Sequence, residues 1–156
     1  MGFFFEGIPY LKIGEDMRIT LESDYALRIL TALANHEEKV DAQTIADETL
    51  VTLRFTLKIL HKLVVGEFVT SYKGAKGGYK LAISPDKITL KAVIELIDGP
   101  IAISRCLDSG EACSLNPDKT ACIYHHIFDT ISLDVARKLQ GITISDVINK
   151  KYTLKP

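Results

Sequence analysis

The sequence predicts a mainly α-helical chain with one small β-hairpin, and three observations carry that expectation. Apolar residues recur at helical spacing in three segments within residues 23–66. Two β-leaning runs flank a glycine-rich stretch at 73–78, and a longer apolar stripe follows at 123–139. The expected architecture is a winged helix-turn-helix domain plus a long dimerisation helix.

The chain has 156 residues, 47% hydrophobic and 25% charged, with a net charge of −1. This suits one or two small folded domains with core enough to need no covalent staples. The three cysteines are an odd number. No basic segment leads into an apolar run of secretory length, and no uninterrupted apolar run reaches the ~18 residues of a membrane span. A reducing, cytoplasmic setting without a disulfide framework is therefore expected.

Residues 1–16, MGFFFEGIPYLKIGED, show neither helical nor strand period, and Phe3, Phe4 and Phe5 would be costly to expose. Gly14, Glu15 and Asp16 before Met17 can be encoded by a purine-rich sequence of the ribosome-binding kind. Residues 1–16 are accordingly expected to be a translated leader or N-terminal extension, with a docked arm as the competing reading; N-terminal sequencing of natively expressed protein beginning at Met1 refutes the leader. The remaining divisions expected are a winged domain at 17–99, a cysteine-rich loop at 100–122, a dimerisation helix and C-terminal segment at 123–149, and a tail at 150–156.

The first helix, over 23–35, has Ala26, Leu27, Leu30, Leu33 and Ala34 on one face, with Ser23 and Asp24 available to cap its start. A second short helix over 42–48 turns Ala42, Ile45 and Ala46 inward. Thr52 is placed to cap a third, whose apolar stripe reads Leu53, Leu57, Leu60, Leu63 and Val64 and which ends near Gly66. The runs 68–72 and 79–83 around the glycines then form a hairpin, the wing. A phosphate-binding loop is excluded there, because Gly77 is followed by Gly78 and Tyr79 and no helix opens after it. A fourth helix over 89–98 stops at Gly99 and Pro100. The stripe Ile123, Ile127, Ile131, Val135 and Leu139, with Tyr124 and Phe128, marks a helix of about five turns. Placed after a small winged domain, a helix this apolar is expected to pair with a second copy, and residues 142–148 read as a turn and a final helix start.

Charge points to a partner. Residues 51–80 carry six basic side chains (Arg54, Lys58, Lys62, Lys73, Lys76, Lys80) against Glu67 alone, a local balance of +5 in a chain of net −1. These lie on the third helix and the wing, the two elements that would meet a duplex, and phosphate neutralisation supplies most nonspecific DNA affinity. Arg54 is the expected base-edge reader, since guanidinium pairs bidentately with guanine. Phe55 and Lys58 share the helix start, with core packing as the competing role for Phe55. Thr52 is expected to touch phosphate, and Lys73 and Lys76 to reach the adjacent minor groove or its phosphates.

All three cysteines fall in one polar loop as C-x6-C-x8-C-x2-H: Cys106, Cys113, Cys122 and His125. Soft thiolates crowded together suit an iron or zinc centre with one nitrogen or oxygen ligand. The spacing lacks the paired C-x2-C knuckles of structural zinc sites, which favours an iron–sulfur cluster. Ordinary thiols, or one disulfide with a spare, are the competing reading.

Read from Met17, the chain resembles the IscR/NsrR family of winged-helix regulators, the Rrf-two family. The resemblance rests on MRITLESDYALRIL at the start, TIADETLVTLRFTLKILHKL through the helix-turn-helix, YKGAKGGYKLA in the wing, and the three-cysteine loop followed by ITISDVI. It implies a homodimer in which the long helix crosses its mate, and a cluster beside the winged domain that controls binding to a pseudo-palindromic operator. It implies Cys106, Cys113 and Cys122 as cluster thiolates, and Lys73 at the position where some relatives insert an arginine into the minor groove. For the fourth ligand it implies either His125 or Asp24 supplied by the other subunit. The expected cofactor is 2Fe-2S in preference to 4Fe-4S. A cluster-free regulator working through thiols or zinc, and an iron–sulfur electron carrier, are the alternatives; the carrier leaves Arg54 and the lysine-tipped wing without a role.

Overall fold

A computed structural model describes residues 19–74, 76–108, 118 and 121–151. Helix α1, Leu21–Ala34, is capped by Thr20, whose hydroxyl accepts from the Ser23 amide at 3.2 Å. The Thr20 amide also donates to Asp98 at 3.1 Å, tying the start of α1 to the end of a later helix. The expected caps, Ser23 and Asp24, thus lie inside the helix. Ser23 is fully buried, with a hydroxyl unpartnered among the described residues, and Asp24 pairs with Arg28.

Helix α2, Ala42–Thr49, opens on Asp41, which accepts from the amides of Gln43 and Thr44. It closes on Leu50 in the left-handed conformation, φ 56, and this residue turns the chain into α3, Leu53–Val65. A non-glycine residue held there costs about 1–2 kcal/mol. Helix α3 buries Thr56, Ile59, Leu60 and Leu63. Leu53 and Leu57, which apolar spacing placed on the inward stripe, face solvent instead, at 38% and 43% exposure. A polar residue takes the inward position because the Thr56 hydroxyl reaches the Val51 carbonyl at 3.5 Å, so burying it leaves no orphaned donor.

The wing is the antiparallel pair β1, Val69–Tyr72, and β2, Gly78–Leu81, in register Val69 to Leu81 and Tyr72 to Gly78. Val40 adds a bridge on the far side of Tyr79, with reciprocal backbone bonds of 2.9 and 2.7 Å. That approach needs Gly78: its φ is +153, and a Cβ there would stand 2.7 Å from the Val40 carbonyl oxygen.

Helix α4, Leu90–Asp98, capped by Thr89, packs on α1. Helix α5 is one turn, Arg105–Asp108, and α6 runs over Ile123–Gln140. Helix α7, Ile144–Ile148, opens with a capping box between Thr143 and Asp146. Helix α7 returns to pack on α1. Ile144 donates to the Ile88 carbonyl, Leu90 donates to that of Ile142, each at 2.9 Å, and Ile88 and Ile144 are fully buried in the same core as Ile29, Leu30 and Leu63.

Candidate functional site

The described candidate residues fall mainly on two surfaces. The first is the outer side of α3 with the wing. Arg54, Phe55 and Lys58 line one shallow depression, and Thr52, Lys73 and Lys76 are exposed. Thr52 occupies the capping position of α3, but its side chain makes no cap bond, leaving the hydroxyl available. Arg54 has no ionic partner among the described residues. Phe55 divides its surface between the two roles considered for it: its ring meets Tyr25 edge-on at 6.3 Å between centroids while 44% of the residue stays exposed. Lys58 and Lys62 both bond the carboxylate of Glu22 on α1, Lys62 at 2.6 Å. These bonds hold the Glu22 carboxyl below its ordinary value of 4.5, the Lys58 bond contributing most. Residue spacing carried no sign of Glu22, because the contact with Lys58 joins residues 36 positions apart on two different helices.

The second surface lies where α5 meets the start of α6. Cys106 sits in α5, Cys122 occupies the capping position of α6, and His125 stands in the first turn of α6. The Cys106 Sγ lies 3.6 Å from His125 Nδ1 and 3.2 Å from Ser104 Oγ. Both thiols are half-buried. The segment before α5 is pinned to α6 by Ser132, the only buried residue of α6, whose hydroxyl accepts from the Ile103 amide at 3.1 Å and donates to the Phe128 carbonyl at 2.8 Å. Neither Ser104 nor Ser132 stood out in the sequence, because an isolated serine carries no spacing signal of its own.

Cys113 lies outside the described residues, as does the leader expected at 1–16. Among the described residues no three histidine, cysteine, aspartate or glutamate side chains converge. Asp24 stands apart from the pair, bonded to Arg28 at 2.6 Å and lining a groove of about 530 Å³ with Leu27, Leu90, Ile144 and Val147. The donors that do meet, one thiol and one imidazole with a second thiol three residues before the imidazole, fit a group bound through sulfur and nitrogen.

The stripe along α6 stays largely uncovered in the single chain: Ile123, Tyr124, Ile127, Ile131 and Val135 are all exposed. No helix among the described residues is long and apolar enough to cross a membrane.

A tight turn between α2 and α3 and a β-hairpin beside α3, with the exposed basic side chains Arg54, Lys73 and Lys76 on the two, define a winged helix-turn-helix protein. The Rrf2 family, described as iron-dependent transcriptional regulator, matches residues 19–150, and the chain belongs to that family. It is a helix-turn-helix transcriptional regulator in kind. A protein of Aquifex aeolicus assigned to the HTH-type transcriptional regulators is 36% identical over 126 residues, covering 80% of this chain and 87% of its own length. The HTH-type transcriptional regulator NsrR of Oceanobacillus iheyensis is 26% identical over 141 residues, covering 88% and 94%. Among solved structures, T. potens IscR shares the fold with a TM-score of 0.68 at 18% identity, covering 90% of this chain and 94% of that one.

Proposed function

We propose that this regulator is a cytoplasmic homodimer whose hold on a pseudo-palindromic DNA operator depends on an iron–sulfur cluster. Cys106, Cys113 and Cys122 would hold the cluster, with His125, or Asp24 of the partner subunit, completing the set. The observation that carries this reading is the Cys106 thiol beside His125 Nδ1 at 3.6 Å, in a family described as iron-dependent. When bound, such a cluster supplies a charge and a coordination state that change on oxidation, reaction with nitric oxide or loss of iron.

The chain's own residues carry the rest. Ser132 ties the segment leading to Cys106 onto α6, so the order of that segment and the position of α6 are linked. The exposed stripe of α6 is the face that pairs with a second copy, which makes α6 the element joining the thiol loop to the relative position of two recognition helices. Arg54 reads a base edge, Thr52 and Lys58 border the phosphates, and Lys73 and Lys76 on the wing reach the flanking groove. Half-sites about one helical turn apart follow from this pairing. A signal can shift DNA affinity only by favouring one dimer arrangement over the other.

Anaerobic purification with visible and electron paramagnetic spectra and iron and sulfide analysis tests the cofactor, and titration of cluster-loaded and emptied protein with operator DNA tests the coupling. Equal affinity in the two states removes the sensing role. A second reading draws on the same contact: Cys106 against His125 without metal is a thiol–imidazole pair, suited to regulation by thiol oxidation or by zinc. Colourless protein without sulfide selects it.

A further inference from the structure

Helix α3 carries a line of cations at four-residue spacing, Arg54, Lys58 and Lys62, and the structure treats them unequally. Glu22, in the first turn of α1, places one carboxylate oxygen on Lys58 and the other on Lys62, the latter at 2.6 Å. Its side chain is 27% exposed, and a helix N-terminus favours a carboxylate there. Arg54, one turn earlier on the same line, has no ionic partner among the described residues. Among the described residues the recognition helix thus leaves Arg54 unpaired at its start, the end expected to read bases, while Lys58 and Lys62, which would grip any phosphate, are engaged by Glu22.

We propose that Glu22 is a positioning residue for DNA recognition: it occupies Lys58 and Lys62 in place of phosphate, lowers affinity for arbitrary duplex, and so raises the share of binding that depends on Arg54. This rests on the DNA-binding reading of α3. Phosphate contacts give affinity without sequence information, so a carboxylate that competes for them widens the gap between specific and nonspecific binding. It also assigns Lys58 to a contact made only after exchange with Glu22.

The test is titration of the full chain with a random-sequence duplex at several salt concentrations, for the unaltered protein, Glu22→Gln, and Glu22→Gln combined with Lys58→Gln and Lys62→Gln. Glu22→Gln is expected to tighten binding about tenfold at moderate salt, the scale of two half-exposed ion pairs. The slope of log K against log salt should steepen by about 0.9 for each lysine released to phosphate. In the lysine-substituted background the gain should fall below about twofold, judged against Lys58→Gln/Lys62→Gln alone. No tightening, or the same tightening in both backgrounds, overturns the proposal; a lower melting temperature with unchanged affinity does so too, by assigning Glu22 a purely structural role. Glu22→Asp, too short to serve both lysines, should give an intermediate gain and serves if Glu22→Gln does not fold. Unaltered protein that binds no duplex at any salt sinks the DNA-binding reading itself, a result distinct from a variant that matches a binding parent.

Discussion

The Cys106 thiol and the His125 imidazole meet at 3.6 Å across 19 residues of chain. One helical turn, α5, therefore folds back onto the first turn of α6, and one sulfur donor and one nitrogen donor meet there.

If that place holds iron, Cys106→Ala abolishes visible absorbance and bound sulfide after anaerobic purification, while far-ultraviolet circular dichroism stays unchanged because the residue lies outside the main core. Comparing His125→Ala with Asp24→Ala then identifies the fourth ligand as the variant with the faster loss of absorbance in air. Full absorbance in Cys106→Ala contradicts the ligand assignment.

Arg54 and the wing lysines should fail in different ways. Arg54→Ala is expected to cost about 1–3 kcal/mol on the preferred operator and to relax discrimination at one base pair. Lys73→Ala should weaken all duplexes alike and reduce the salt slope by about 0.9. Fluorescence anisotropy on matched and mismatched operators separates the two patterns.

Replacing an exposed apolar residue of α6 by a charge tests the pairing face. Ile127→Glu loses about 2 kcal/mol of apolar burial from each of two symmetric copies, so the dimer dissociation constant should rise at least about a hundredfold. Sedimentation equilibrium reads it, and an unchanged dimer assigns the stripe another role.

Gly78→Ala should loosen the wing. Its φ of +153 disfavours a side chain, and the added Cβ would meet the Val40 carbonyl at 2.7 Å, so both β1–β2 pairing and the Val40 bridge must give way. A loss of about 2 kcal/mol in urea denaturation is expected.

The cap of α7 makes stability depend on pH in the acid range. The Lys151 ammonium, with the Thr143 amide and hydroxyl, holds the Asp146 carboxyl at about 2, below its ordinary 3.8. A depressed carboxyl binds fewer protons in the folded chain than in the unfolded one. Its contribution is therefore present above about pH 4 and lost as pH falls towards about 2. The melting-temperature advantage of the unaltered protein over Asp146→Asn should accordingly shrink between pH 5 and pH 2. A constant difference refutes the linkage.

Residue order alone made the helices and the wing legible, and it marked Cys106 and His125, which the fold brings within 3.6 Å. Apolar periodicity and the stop at Gly99 act over a few neighbours, and the cysteines with His125 are a chemical pattern in the sequence before they are a shape. Folding decided what depends on distant neighbours. Thr20 rather than Ser23 caps α1 because Asp98, 78 residues on, receives it, and α3 is rotated so that Thr56 is inside and Leu57 outside. The same holds for α7 returning Ile144 to the core, for Ser132 pinning the thiol segment, and for Glu22 engaging two lysines of α3. Local propensity is read from adjacent residues, whereas these choices turn on which distant polar groups and cavities become neighbours when the chain closes, and spacing along the chain carries no record of that.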